Sequence, residues 1–406
     1  MNTPIVTSRS PNRSLPSRSV AAARIVAAMG LAMQLISVAD GEVLRAQSVQ
    51  RLVAKPVWSS ADDDDATPSR PARLAVDAAG RVYLPEPTES ALYVYSATGS
   101  FLGKIGRKGS GPGEFQNICC AGFDPKGRLW ARDLGGARYV VFNVAFPAGK
   151  LQARPQFVVN MPHRDVNRWT ALGFDPTGAL FDIGLIHSHD SKPVSKLTRF
   201  LVDTAGVVKR SLDLLEQVDN VTAPLVVTTT TPDGVSRRLL QPPFAGIQLL
   251  ASAPNGDYAQ AGSAKYEIVW RNSDGAVKHT IRRAIDGPPL ADAERKRAQT
   301  DIANVAKSAG KRVSELPFGV PARKPPLRGL EFDPEGRLWV ERFVARGALR
   351  ESDVYLPNGT HAFTVVWPAL PSMVFYGTAR GRDAWVTTQD ADDIPHIVKL
   401  ALTPQR

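Results

Sequence analysis

Glu331-Phe-Asp333-Pro-Glu-Gly336-Arg-Leu-Trp339 places a four-residue turn between two alternating apolar stretches, and the chain repeats it. Close copies are Leu74-Ala-Val-Asp77-Ala-Ala-Gly80-Arg-Val-Tyr83, Gly122-Phe-Asp124-Pro-Lys-Gly127-Arg-Leu-Trp130 and Gly173-Phe-Asp175-Pro-Thr-Gly178-Ala-Leu-Phe181. Looser copies are Ala253-Pro-Asn-Gly256-Asp-Tyr258 and Thr378-Ala-Arg-Gly381-Arg-Asp-Ala-Trp385. Each copy reads as a β-hairpin. Asp opens the turn by accepting backbone N–H groups ahead of it, Pro presets φ at the next position, and Gly takes the positive φ that ends it. Alternation on either side turns one face of each strand toward a core.

A second turn follows each of the first five, ending at Gly99, Gly149, Gly206, Gly275 and Gly359. Two hairpins make a four-stranded antiparallel unit, and six units arranged radially make a β-propeller. The expected fold class is therefore all-β: a six-bladed β-propeller of four-stranded antiparallel blades with one short helical insertion. The sixth unit shows a third strand, His396–Leu402, but no fourth. The alternating segment Val49–Trp58 is spare at the other end. It is expected to complete blade six and close the ring, which removes exposed sheet edges.

The first-turn glycines are 47, 51, 78, 80 and 45 residues apart, whereas a plain blade takes about 45–50. The two long intervals therefore hold insertions, at about 214–245 and 286–326. The first contains Leu225–Leu240, an extra hairpin around Pro232-Asp-Gly234; a seventh, degenerate blade is the competing count. The second contains a helix over 289–309, begun by prolines, ended by Gly310, and apolar at Ala298, Ile302, Val305 and Ala309.

The segment Phe101-Leu-Gly-Lys-Ile-Gly-Arg-Lys-Gly-Ser-Gly-Pro-Gly113-Glu-Phe115 resembles the inter-blade link of NHL-repeat six-bladed propellers. In that family a strand leads into Gly-x-x-Gly-x-Gly-Pro-Gly-x-Phe, with nine residues to the turn Asp; Phe115 to Asp124 is nine. The full signature occurs once. The family's Pro-Thr-Gly at the start of the inner strand is replaced by Ile118-Cys119-Cys120. The resemblance implies fold more than function, since such propellers include binding modules, scaffolds and a few enzymes.

The chain has 406 residues, with 50 Lys plus Arg against 39 Asp plus Glu, and 2 Cys. Two cysteines exclude a disulfide framework and a Cys-based zinc cluster. Residues 1–24 carry Arg9, Arg13, Arg18 and Arg24 and no acid, and the apolar run Ile25–Ile36 follows. Twelve residues are too few to span a bilayer but suit a signal-peptide core. Residues 1–39 are expected to be a signal peptide cleaved after Ala39, with Ala46 a second candidate; a mildly apolar terminal helix is the alternative. Removal lowers the net charge from +11 to +7. Residues 49–406 are then a single secreted or periplasmic domain. No basic stripe with interleaved aromatics argues for nucleic acid, and no other segment approaches transmembrane length.

In this topology the first and second turns share one face, while inter-blade links and the loops between second and third strands crown the other. Irregular loops on a rigid scaffold are where binding concentrates, so the loop-rich face is the expected binding surface. Its candidates are Cys119 and Cys120 near the central channel; Arg132, Asp133 and Arg138 in blade two; His187, His189 and Asp190 in blade three; Arg342 and Arg346 in blade five; and Asp390 in blade six. His187 and His189 share a face if extended and could give two metal ligands. The run Asp62–Asp65 could bind Ca2+ or form a solvated charge run. Ca2+ and Zn2+ are thus the candidate ions, and no other cofactor is indicated. The Gly-rich stretch 106–113 lacks the Lys-Ser/Thr ending of a phosphate loop, and no nucleophile motif appears. The expected function is a monomeric, non-enzymatic binding or scaffold propeller for a protein, peptide or glycan. The alternative is a metal-dependent lactonase-like hydrolase or lyase acting at the channel mouth.

Overall fold

The computed structural model describes residues 49–60, 67–162, 171–187, 195–214, 219–223, 225–231, 234–368, 377–390 and 392–405. They form a six-bladed β-propeller. β1 (Gln50–Ser59) comes first. Blade one is β2 (Ala75–Val76), β3 (Val82–Glu86), β4 (Ala91–Tyr95) and β5 (Phe101–Ile105); blade two is β6 (Ile118–Phe123), β7 (Leu129–Asp133), β8 (Arg138–Ala145) and β9 (Gln152–Asn160). Blade three is β10 (Gly173–Phe174), β11 (Leu180–His187), β12 (Ser195–Val202) and β13 (Val208–Asp213). β14 (Leu225–Thr231) and β15 (Gly234–Leu240) form a separate hairpin, so this insertion is not a seventh blade among the described residues. Blade four is β16 (Gln248–Ser252), β17 (Tyr258–Gly262), β18 (Glu267–Arg271) and β19 (Val277–Arg282), followed by α1 (Asp292–Ser308). Blade five is β20 (Leu327–Phe332), β21 (Leu338–Arg342), β22 (Glu351–Tyr355) and β23 (His361–Val366). Blade six is β24 (Thr378–Arg380), β25 (Asp383–Gln389) and β26 (Pro395–Pro404), completed by β1.

β1 runs antiparallel to β26 from Leu52↔Pro404 to Ser59↔Val398. It also runs parallel to β23 over Gln50↔Phe363 to Val53↔Val366. The closing strand is thereby stitched to two blades, and blades five and six form one eight-stranded sheet.

The repeated turn owes its shape to its Asp. Asp124 Oδ1 accepts the N–H groups of Lys126 and Arg128, each at 2.9 Å. Its Oδ2 accepts Arg128 Nε at 2.6 Å and Trp130 Nε1 at 2.9 Å. Asp333 takes the same four donors from Glu335, Arg337 and Trp339. Asp77 takes them from Ala79, Arg81 and the Tyr83 hydroxyl. One carboxylate thus ties the turn to the aromatic of the next strand. Asp175 keeps the two backbone bonds, but Phe181 has no donor to offer. Gly127 closes its turn at φ +74°, a conformation that costs other residues energy.

An apolar cluster fills every junction between neighbouring blades. Tyr83 of blade one packs with Ala121 and Leu129 of blade two, and Trp130 with Phe174 of blade three. Trp270 meets Phe332 across the four–five junction, Trp339 meets Ala379 across five–six, and Trp385 meets Tyr93 across six–one. Among the described residues the three–four junction is the thinnest, with Ile183, Leu214 and Tyr258 buried in its cluster. Polar contacts reinforce it. Phe174 N donates to Pro254 O at 2.7 Å, and Arg199 donates to the carbonyls of Gly256 and Ser273 while lying 4.2 Å over the Phe181 ring. Gly173 allows this approach, because a Cβ there would sit 2.6 Å from Ala253 O.

The expected helix is present, but it starts after the prolines, at Asp292. Its buried stripe is Ala298, Ile302 and Ala306 rather than ending at Ala309, which caps the helix just before Gly310 at φ +64°. Ile302 and Ala306 pack with Leu316 and with Leu225 of the insertion hairpin, so the two insertions share a small core.

Candidate functional site

The inner strands β2, β6, β10, β16, β20 and β24 lead toward the repeated turns, and a cavity of about 510 Å³ lies among them. Its wall draws on all six blades, and it opens between the turns at Asp77, Asp124, Pro254, Pro334 and Arg380. The mouth is therefore on the turn face, opposite the loop-rich face. Phe123, Leu172 and Phe332 give it an apolar wall.

Arg73 and Glu331 define its inner part. Arg73 precedes β2 and bridges in parallel to Cys120, which places it toward the far end of the inner strands from the turns. Its Nη2 donates to Glu331 Oε2 at 2.5 Å, and both side chains are buried. Arg73 belongs to blade one and Glu331 to blade five, so this ion pair crosses the channel. Burial pushes the Glu331 carboxyl up, and the Arg73 guanidinium pulls against it.

A second buried group stands behind Arg73. β6 and β7 slip register between Ile118 and Cys120, which makes Cys119 a bulge residue. Successive side chains of a regular strand point to opposite faces; at this bulge the two sulfur atoms instead lie 2.7 Å apart. Neither cysteine is in a disulfide, and both are buried. Arg132 Nη1 approaches Cys120 Sγ at 3.4 Å, and its Nη2 donates to Asp182 Oδ1 at 2.5 Å. The Tyr139 hydroxyl donates to the other Asp182 oxygen at 2.6 Å. Burial would push the Cys120 thiol up, but the Cys119 hydrogen bond and the charges of Arg132 and Arg73 hold it down at about 7. Burial, together with the hydrogen bond and charge of Cys120, pushes Cys119 well above the usual thiol range.

Other expected site residues are engaged in holding the loop-rich face together. Asp133 accepts the N–H groups of Gln116, Asn117 and Gly136, and it pairs with Arg138 at 3.1 Å. Arg138 in turn clamps the carbonyls of Ser110 and Glu114 in the Gly-rich link. Arg342 pairs with Glu351 and, at 3.3 Å, with Asp353. Asp390 accepts two N–H groups of its own turn and contacts His396 Nε2 at 3.0 Å. Arg346 is exposed. His187 ends β11, while His189, Asp190 and the run Asp62–Asp65 lie outside the described residues. Among the described residues no group of three or more His, Cys, Asp or Glu is placed to hold a metal ion. No described helix is long and apolar enough to cross a membrane.

The residues that sequence reasoning passed over are Arg73, Glu331, Asp182 and Arg380. Two of them carry a signal within the repeat. Glu331 occupies the position two before the turn Asp, where other copies have Ala75, Gly122 and Gly173. Asp182 stands where other copies have Leu84, Ala131 and Val340.

Residues 64–124 match a family described as a 6-bladed beta-propeller. No curated protein matches the chain. Among solved structures, the chain is similar to a virginiamycin B lyase from Staphylococcus aureus, at 10% identity and a TM-score of 0.39, over 82% of this chain and 94% of that one. It is similar to a gluconolactonase from Xanthomonas campestris, at 12% identity and a TM-score of 0.39, over 86% and 87% of the two chains. A PQQ-bound aldose sugar dehydrogenase from Streptomyces coelicolor stands at 12% identity and a TM-score of 0.38, over 86% and 98%. These likenesses carry no activity across to this chain. The chain is a six-bladed β-propeller.

Proposed function

We propose that this chain is an exported, non-enzymatic binding propeller of the NHL-like kind, and that its ligand enters the channel cavity from the turn face. The observation that carries the reading is the 510 Å³ cavity walled by all six blades. Its size and its apolar wall with a few convergent polar groups are those of a small-molecule site. Binding is favoured over catalysis because most charged groups of the wall are held in ion pairs: Arg73 with Glu331, Arg81 with Asp77, and Asp124 with Arg128 behind it. The loop-rich face, with its two packed insertions, remains the proposed docking surface for a protein, peptide or glycan partner, and the chain acts as a monomer.

An uncharged fluorescent probe, N-phenyl-1-naphthylamine, tests the cavity. Saturable binding to the wild-type protein is expected, and Ala171→Trp should abolish it by filling the wall while thermal unfolding stays cooperative. Thr378→Leu is a second filling variant from a different blade. Binding indifferent to both substitutions would overturn the reading. Export is tested by intact-mass analysis of the secreted product, which should begin at residue 40 or 47.

A further inference from the structure

We infer that the cavity takes an organic anion, a carboxylate or sulfonate on an apolar body, and that Arg380 recognises it. This inference rests on the cavity being the ligand site. Arg73, Arg81 and Arg380 line the cavity together with Asp77, Asp124 and Glu331, and Arg128 stands behind Asp124. Arg73, Arg81 and Arg128 each have a carboxylate partner, at 2.5, 2.6 and 2.6 Å. Arg380 has none among the described residues. Its cross-strand neighbour, Asp383, is held by Lys399 at 2.8 Å. Arg380 is half-buried, and its Nε is shielded from water without a hydrogen-bond partner.

A desolvated guanidinium N–H left without an acceptor is a costly group, and an incoming anion restores what burial removed. The fork of a guanidinium matches two oxygens of a carboxylate or sulfonate. Its position is set in advance by the neighbouring blade. Glu335 accepts Gly381 N at 2.9 Å, and Arg337 donates to Gly381 O at 2.8 Å, so the turn beside Arg380 is pinned at both backbone groups. A single unmatched charge facing Phe123, Leu172 and Phe332 suits one negative charge on an apolar body. A small, strongly hydrated dianion would leave that wall unused and one of its own charges unmatched.

The test compares 1-anilinonaphthalene-8-sulfonate with its uncharged parent, N-phenyl-1-naphthylamine. The sulfonate is expected to bind the wild-type protein about tenfold or more tightly than the parent, on the strength of one charge-assisted contact. Arg380→Met should remove that advantage and leave the parent's affinity unchanged, and Arg380→Lys should restore part of it. If both probes bind and Ala171→Trp blocks both, but Arg380→Met leaves the sulfonate unaffected, the anion inference fails and the cavity reading stands. If neither probe responds to Ala171→Trp, the cavity reading fails and takes the anion inference with it.

Discussion

At the scale of single residues, the turn Asp gathers four donors onto one carboxylate. Asp333 satisfies two backbone N–H groups, a guanidinium and an indole while buried. Asp333→Ala leaves these donors without an acceptor and is expected to cost about 3 kcal/mol in denaturant unfolding. Asp175→Ala loses only solvent-accessible turn bonds and should cost about 1 kcal/mol. Equal losses would show that the indole and guanidinium bonds add nothing. The thiol pair offers a second prediction. Thiolate absorbance at 240 nm should show one cysteine titrating near 7, assigned to Cys120. Cys119→Ala deletes the S–H beside it and should raise that midpoint, whereas Arg132 and Arg73 remain. The turn Asp was readable in the sequence because its chemistry is local, within six residues. Arg73 and Glu331 were not read, because their pairing depends on which blades face one another across the channel. Repeat alignment alone marks Glu331 as a carboxylate in a small-residue position, without naming its partner.

At the scale of elements, the blades and their order followed from turn spacing, and so did the two insertions. Spacing says nothing about how firmly neighbouring blades adhere. The four–five junction is reinforced by Asp353, fully buried on β22. It accepts Tyr266 Oη at 2.8 Å and Arg283 Nη1 at 2.6 Å from blade four, and Thr364 Oγ1 at 2.7 Å from its own blade. Burial alone would raise this carboxyl. The contact with His361, the charges of Arg342 and Arg283 and the Thr364 hydroxyl hold it well below the usual carboxylate range instead. A carboxylate depressed in the folded state stabilises fully above its unfolded pKa of about 3.9. That contribution fades as the pH falls from there toward the depressed value. Asp353→Asn should therefore cost about 3 kcal/mol at neutral pH, with the difference from wild type narrowing below about pH 4. Urea unfolding at a series of pH values measures this, and a pH-independent difference would refute it. Among the described residues the three–four junction has the smallest apolar cluster and leans on Arg199, whose guanidinium is lowered by burial to about 10 and is met by carbonyls and aromatic faces.

At the scale of the whole molecule, the expected binding face and the observed cavity lie at opposite ends of the channel. Loop irregularity, the feature visible in the sequence, points to one end. The cavity at the other end arises because Ala75, Ala121 and Gly122 are too small to fill the axis, a property of six strands converging rather than of any one. The closing strand has a consequence of another kind. Thr403 and Val53, 350 positions apart, meet where β1 lies on β26, so this pairing is among the most non-local in the fold. Such contacts form late and slowly. Until they do, β26 and β23 both present open edges that accept the same ten-residue strand. Nothing in that pairing requires the strand to come from the same copy, which is the condition for domain swapping. Refolding at high protein concentration should therefore yield strand-exchanged dimers, separable by size-exclusion chromatography, while dilute refolding yields monomer. Leu52→Asp, which places a charge where Leu52 is fully buried, should suppress both products and leave an open, aggregation-prone ring.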